Sequence, residues 1–264
     1  MEASSTLQGE NAAAPTTVHS IVSGSRLAGN DGVHEAVSPS TGAPIQRYSL
    51  LDAAQAGRAV EAAANAFPAW TATPFAERRA ILDRARALIL EEGETLALLI
   101  AREQGKPMAE AHLAEILPAL DHLKHLARTG EATLAARETE PTLFLIGHKQ
   151  GRIEFASIGP VLIITPWNYP FSIPITGIGA ALMAGNTIVL KPAPATTLIG
   201  LAIGDLFARA GLPPGVLNVA ACTDAVAAAL VSDPRLRKVL FTGSVPTGRR
   251  IMASAASQGT SVTL

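Results

Sequence analysis

The sequence predicts an α/β protein built on a doubly wound parallel sheet, with a helical region ahead of it. Three observations lead there. From Phe155 to Leu190 no charged residue occurs. From Gly159 onward, short apolar runs alternate with segments of helical length. Between Asp52 and Gly130 the chain is rich in alanine and leucine at helical spacing. Alternating βα units predict a parallel sheet covered by helices on both faces, and right-handed crossovers make it a nucleotide-type sheet.

The uncharged run raises the question of a membrane, since a spanning helix needs roughly 20 continuous apolar residues. Pro160, Pro166, Asn168, Pro170, Pro174 and Asn186 interrupt every such window. Each interruption would strand backbone groups in hydrocarbon. Strands covered on both faces read as continuous Val/Ile/Leu runs, and they account for the segment better. A formal net charge of -1 calls for neither nucleic acid nor an acidic membrane surface as partner. The single cysteine, Cys222, cannot close an internal disulfide, which fits a reducing, cytoplasmic setting. The first twenty residues lack the basic start and apolar core of a secretory signal. They read as a loose tail, and residues 1–36 are assigned to it.

From residue 37 the elements follow in order. Ser38-Pro39-Ser40-Thr41-Gly42 is turn chemistry between two strand-like runs. Asp52 is suited to cap a helix through Ala66. A second helix begins near Pro74, with Ile81, Leu82, Ala85, Leu88 and Ile89 on one face. Further helices span Glu94 to Gln104, stopped by Gly105, and Met108 to Arg128, stopped near Gly130. Two extended pieces, Thr142–Ile146 and Gly151–Ala156, flank GHKQ and suggest a hairpin. Strands are then expected at Val161–Thr165, Thr187–Lys191, Val216–Ala220, Lys238–Phe241 and Ser261–Leu264. Helices are expected between them, at Ser172–Ala184, Thr196–Ala210, Asp224–Val231 and Pro246–Ala256.

In such sheets the ligand lies beyond the carboxyl ends of the strands. That rule selects three loops, Thr165–Asn168, Lys191–Pro194 and Thr242–Gly248. In the third, Gly243 and Gly248 flank a helix start with Pro246 in its first turn. Free N–H groups there suit a phosphate, although an ordinary strand–helix connection looks the same. Lys191 ends an apolar strand. It can donate to a ribose or phosphate, or it can extend its ammonium to solvent. Asn168, restrained by prolines on both sides, can present an amide donor to a developing oxyanion or close an Asx-turn.

Taken together, the segments IITPWNYP, MAGNTIVLKPAP, GLPPGVLNV and VLFTGS resemble those of the aldehyde dehydrogenase superfamily, in its order and approximate spacing. The resemblance extends from about Val37 to Leu264, with the SPSTG turn matching an early turn of that family. It implies a Rossmann-like cofactor domain, oxidation of a small aldehyde to the acid, and NAD or NADP as hydride acceptor. Asn168 would be the oxyanion-hole amide. Ile164, Thr165, Pro166 and Trp167 would line the cofactor cleft, together with Asn168. Lys191, with Pro192, Ala193 and Pro194 behind it, would bind the adenosine ribose. Gly215 would sit near the adenine, Gly243-Ser244 would meet the pyrophosphate, and Phe241 and Thr242 before them would also contact the cofactor. The hairpin, about residues 140–157, is similar to the family's oligomerisation arm and implies a homo-oligomer in the full-length form.

Two departures stand out. Pro194 occupies the place where NAD-preferring members carry an acidic residue, so NAD and NADP both remain open. Ala220-Ala221-Cys222 replaces a turn that often contains glycine. The resemblance further implies that the water-activating glutamate and the nucleophilic cysteine lie beyond Leu264. Cys222 lacks the context of that nucleophile and reads as a small core or loop residue. The expectation is therefore a cofactor-binding half, inactive alone, whose catalytic half lies on a continuation of the chain or on a separate subunit. The alternative, from another class, is a non-catalytic nucleotide-binding or interaction protein.

Overall fold

The computed structural model describes residues 16–139 and 151–264. Five short strands come first: β1 (Thr17–Val18), β2 (Ser20–Val22), β3 (Ser25–Leu27), β4 (Val33–Val37) and β5 (Pro44–Ser49). β1, β5 and β4 form a small sheet of their own. β2 and β3 instead form an antiparallel hairpin that joins the main sheet. The expected tail over residues 1–36 is therefore corrected for its second half. Alternation is invisible in strands of two or three residues. Their pairing is set by distant partners, such as the Asn218 Oδ1 that accepts the Ser23 N–H at 2.9 Å.

Four helical elements follow. α1 (Ala53–Thr71) starts in a full capping box, in which Asp52 and the Gln55 side chain satisfy each other's backbone N–H groups. α2 (Phe75–Glu91) buries Ile81, Leu82, Ala85 and Ile89, most of the stripe read from the sequence. α3 (Gly93–Gln104) ends at Gly105, whose φ of 82° is the left-handed conformation of a glycine C-cap. α4 (Met108–Ala111) runs through one π turn (His112–Ile116) into α5 (Leu117–Leu134). Gly130 does not stop this helix as expected. It lies within α5, and a Cβ there would run into the Met183 side chain. The glycine serves close packing rather than termination.

β6 (Arg137–Thr139) pairs antiparallel with β7 (Gly151–Ile153). The expected strand at Thr142–Ile146 lies outside the described residues. After it come β8 (Pro160–Ile164), α6 (Ser172–Met183), β9 (Thr187–Lys191), α7 (Thr197–Arg209), β10 (Leu217–Val219), α8 (Asp224–Val231), β11 (Lys238–Phe241), α9 (Val245–Ala256) and β12 (Ser261–Thr263). The seven-stranded sheet has the order β12-β11-β8-β9-β10-β2-β3. Its first five strands are parallel, and β2 joins β10 antiparallel.

The central strands are buried on both faces, and their side chains alternate between two cores. Val161, Ile163, Ile188 and Leu190 pack with α2, α5, α6 and α7. Leu162 and Val189 pack with α1, α8 and α9 on the other side. This is the period-2 geometry of strands, and it explains the uncharged run. No helix among the described residues is long and apolar enough to cross a membrane.

Candidate functional site

β8, β9, β10 and β11 end on the same side of the sheet, and their following loops enclose a cleft of about 760 Å³. That volume falls within the ~300–1,000 Å³ of small-molecule sites. Twelve residues singled out from the sequence line it: Ile164 through Asn168, Lys191, Ala193, Pro194, and Phe241 through Ser244. Two do not. Pro192 turns toward α7, where a Cβ on Gly200 would meet its ring at 2.6 Å. Gly215 precedes β10, at the opposite end of that strand from the cleft. Its φ of 82° seats it 3.0 Å, measured from a notional Cβ, from the Ala62 carbonyl of α1. The expectation that Gly215 meets the adenine is corrected. Its glycine is required by the turn into β10.

The Asn168 loop is held from behind by a buried ion pair. Lys106 Nζ donates to Glu115 Oε1 at 2.7 Å and to the Asn168 carbonyl at 3.0 Å. Glu115 Oε2 accepts the N–H groups of Phe171 and Ser172, at 3.2 and 2.9 Å. One carboxylate thus ties the loop's exit and the start of α6 to the π turn. Lys106 also lies 4.4 Å from the Tyr169 ring centroid. The Asn168 side chain is exposed and makes no hydrogen bond among the described residues, so it closes no Asx-turn.

Lys191 is 3 % exposed. Its ammonium does not run out to water but donates to Asp224 Oδ1 at 2.5 Å. Asp224 opens α8, where a carboxylate also complements the helix dipole, and its side chain is 84 % exposed. Behind the cation, the Tyr48 hydroxyl donates to the Pro194 carbonyl at 2.9 Å. Buried Glu103 accepts the Leu198 and Ile199 N–H groups at 2.8 and 2.9 Å, anchoring the start of α7 and the loop before it.

The third loop enters α9 through Ser244, whose hydroxyl accepts the Thr247 N–H at 3.4 Å. A Cβ on Gly243 would collide with the Phe241 ring, with Cε2 at 3.0 Å. Between α8 and α9, the small side chains of Ala225, Ala228 and Ser254 border a slot together with Ile251. The cleft therefore combines a helix N-terminus suited to phosphate, a lysine and a carboxylate suited to ribose hydroxyls, and a narrow slot suited to a flat base. A dinucleotide fits this donor set.

Asp224, Ala225, Ala228, Thr247, Arg250, Ile251 and Ser254 were not singled out from the sequence. Two signals could have found them. The carboxyl-end rule applies equally to the loop after β10, and positions 247, 250, 251 and 254 share one helical face. Cys222 follows β10 but is buried in the core beside Leu51. Burial pushes its thiol up to about 11, so at neutral pH it is protonated and poorly nucleophilic. A second groove of about 710 Å³ lies between α5 and α6. It is bordered by solvated side chains, and its His122 is engaged with Thr176 Oγ1 at 2.6 Å. Among the described residues no cluster of three metal-ligating side chains occurs.

The sequence pattern of the aldehyde dehydrogenase family matches residues 27–264. The chain is 36% identical over 250 residues to a succinate-semialdehyde dehydrogenase (NADP(+)) of Escherichia coli strain K12, covering 92% of this chain and 50% of the relative. It is 39% identical over 231 residues to a glutarate-semialdehyde dehydrogenase of Pseudomonas aeruginosa, covering 86% and 46%. A solved NAD+ complex of an aldehyde dehydrogenase from Bacillus cereus superposes with a TM-score of 0.88 at 30% identity, covering 94% of this chain and 50% of that one. The chain spans about half the length of the curated relatives it matches. The ordered loops, the parallel sheet and these similarities converge: the chain belongs to the aldehyde dehydrogenase family.

Proposed function

We propose that this chain is the cofactor-gripping half of an enzyme that oxidises a small aldehyde to the carboxylic acid with NAD or NADP, and that it supplies the oxyanion donor. The observation that carries this reading is that Asn168, in the loop after β8, and Lys191, at the end of the adjacent strand β9, line the same cleft. Lys191 donates to a ribose hydroxyl. Gly243, Ser244 and the positive end of α9 receive the pyrophosphate, and the slot beside Ala225, Ala228 and Ile251 takes the base. When bound, the dinucleotide supplies the hydride acceptor. The Asn168 amide donates to the aldehyde oxygen as negative charge builds on it, and Lys106 and Glu115 hold the loop in place so that the donor is preorganised.

The nucleophile is not Cys222, which is buried and protonated. It belongs to a catalytic half, on the same polypeptide or on a partner. The exposed β6–β7 ribbon would join copies of the enzyme. A titration with NAD and with NADP, followed by tryptophan emission, tests the reading. Trp167 lines the cleft and is 60 % exposed, whereas Trp70 is buried, so a saturable change reports on the cleft. Lys191→Ala is expected to remove most of it. Absence of a saturable response to either dinucleotide would refute the proposal.

A further inference from the structure

No side chain from Lys191 to Pro194, at the end of β9, can accept a hydrogen bond from a ribose hydroxyl. Pro194 has no polar side chain, and its carbonyl already receives the Tyr48 hydroxyl at 2.9 Å. Among the described residues lining the cleft, Asp224 is the only carboxylate. It arrives from the neighbouring strand's loop, opens α8, and meets Lys191 Nζ at 2.5 Å. We propose that Asp224 makes this cleft select NAD over NADP, its carboxylate accepting from the adenosine ribose beside Lys191 and opposing a phosphate at the 2′ position.

The inference rests on the reading that the adenosine ribose lies against Lys191. Given that, the chemistry at the 2′ position decides the preference. A 2′-hydroxyl donates to a carboxylate in a charge-assisted bond. A 2′-phosphate carries about −1.5 to −2 charges near neutral pH and would meet Asp224 as a like charge. Lys191 cannot offset this freely, because its ammonium is already paired. The other cation of the cleft, Arg250, lies on α9. There it donates to Thr247 Oγ1 at 3.2 Å, on the helix whose start forms the proposed pyrophosphate site.

The experiment is a pair of titrations of the chain with NAD and NADP, by calorimetry and by tryptophan emission, on wild type, Asp224→Asn and Asp224→Glu. Wild type is expected to bind NAD more tightly. Asp224→Asn is expected to weaken NAD and strengthen NADP, moving the ratio of their dissociation constants by about tenfold. Asp224→Glu is expected to keep the preference. High salt should narrow it, since repulsion at so exposed a group is screened. Equal or tighter NADP binding by wild type overturns the inference, and that measurement needs no variant to fold. A ratio unmoved in Asp224→Asn also overturns it and leaves the cofactor site standing. Binding of neither dinucleotide fails the site itself.

Discussion

Glu115 and Glu103 are both buried, and each receives two consecutive backbone N–H groups at a helix start, Glu115 on Oε2 alone and Glu103 on one oxygen each. Their surroundings differ. Glu115 has the Lys106 ammonium at 2.7 Å, so removing either partner would leave a buried charge uncompensated. Among the described residues Glu103 has no cation in its hydrogen-bond shell. Burial raises its carboxyl to about 7, against the lowering effect of the Leu198 and Ile199 N–H groups. The folded protein therefore holds this proton more tightly than the unfolded chain. The resulting stabilisation is full below pH ~4.5 and fades as pH rises through 7, by about 3 kcal/mol in all. Urea midpoints measured from pH 4.5 to 7.5 should fall more steeply for wild type than for Glu103→Gln. Parallel curves would show that Glu103 is ionised in the fold. Because Glu103 anchors the start of α7 behind Lys191, the same titration bears on the cofactor loop.

At the scale of elements, the α5–α6 contact positions the Asn168 loop, and glycines set its closeness. A Cβ on Gly179 would stand 2.9 Å from Leu126 Cδ1 and 3.0 Å from Leu123 Cδ2. Gly179→Val should destabilise the protein by about 1–3 kcal/mol through overpacking, seen as a lower melting temperature, despite the poor helix propensity of the glycine it replaces. Unchanged stability would mean that α5 shifts freely. Gly130 shows why such glycines mislead a sequence reading. A helix-ending glycine and a close-packing one look alike locally, and only the Met183 side chain across the contact distinguishes them. By contrast, β9, α8 and β11 lie where periodicity places them, since burial on both faces or along one stripe leaves a local record. The cleft was legible through three loops and missed through the fourth. Lys191 announces itself as a charge closing an apolar run. Asp224 looks like any acidic helix start until the fold brings it to Lys191. Gly215 failed for a related reason: its motif is recognisable, but only topology says which end of β10 it occupies.

For the whole molecule, stability should follow position in the sheet. β9 sits between β8 and β10 and is fully buried, whereas β12 has a single neighbour among the described residues and exposed residues at both ends. Amide hydrogen exchange is expected to be slowest in β8 and β9 and fastest, among the parallel strands, in β12. Uniform protection across the five would contradict a graded sheet. The hairpin of β2 and β3 bears on a different matter, the order in which the protein is made. Its Ser20 hydroxyl accepts the Ala221 N–H across 201 positions of sequence. At roughly 5–20 residues per second of synthesis, about 10–40 s separate the emergence of this hairpin from that of its partner β10. The earliest strands of the sheet thus wait longest for the strand that joins them to it, and a nascent chain must keep them from other partners until then.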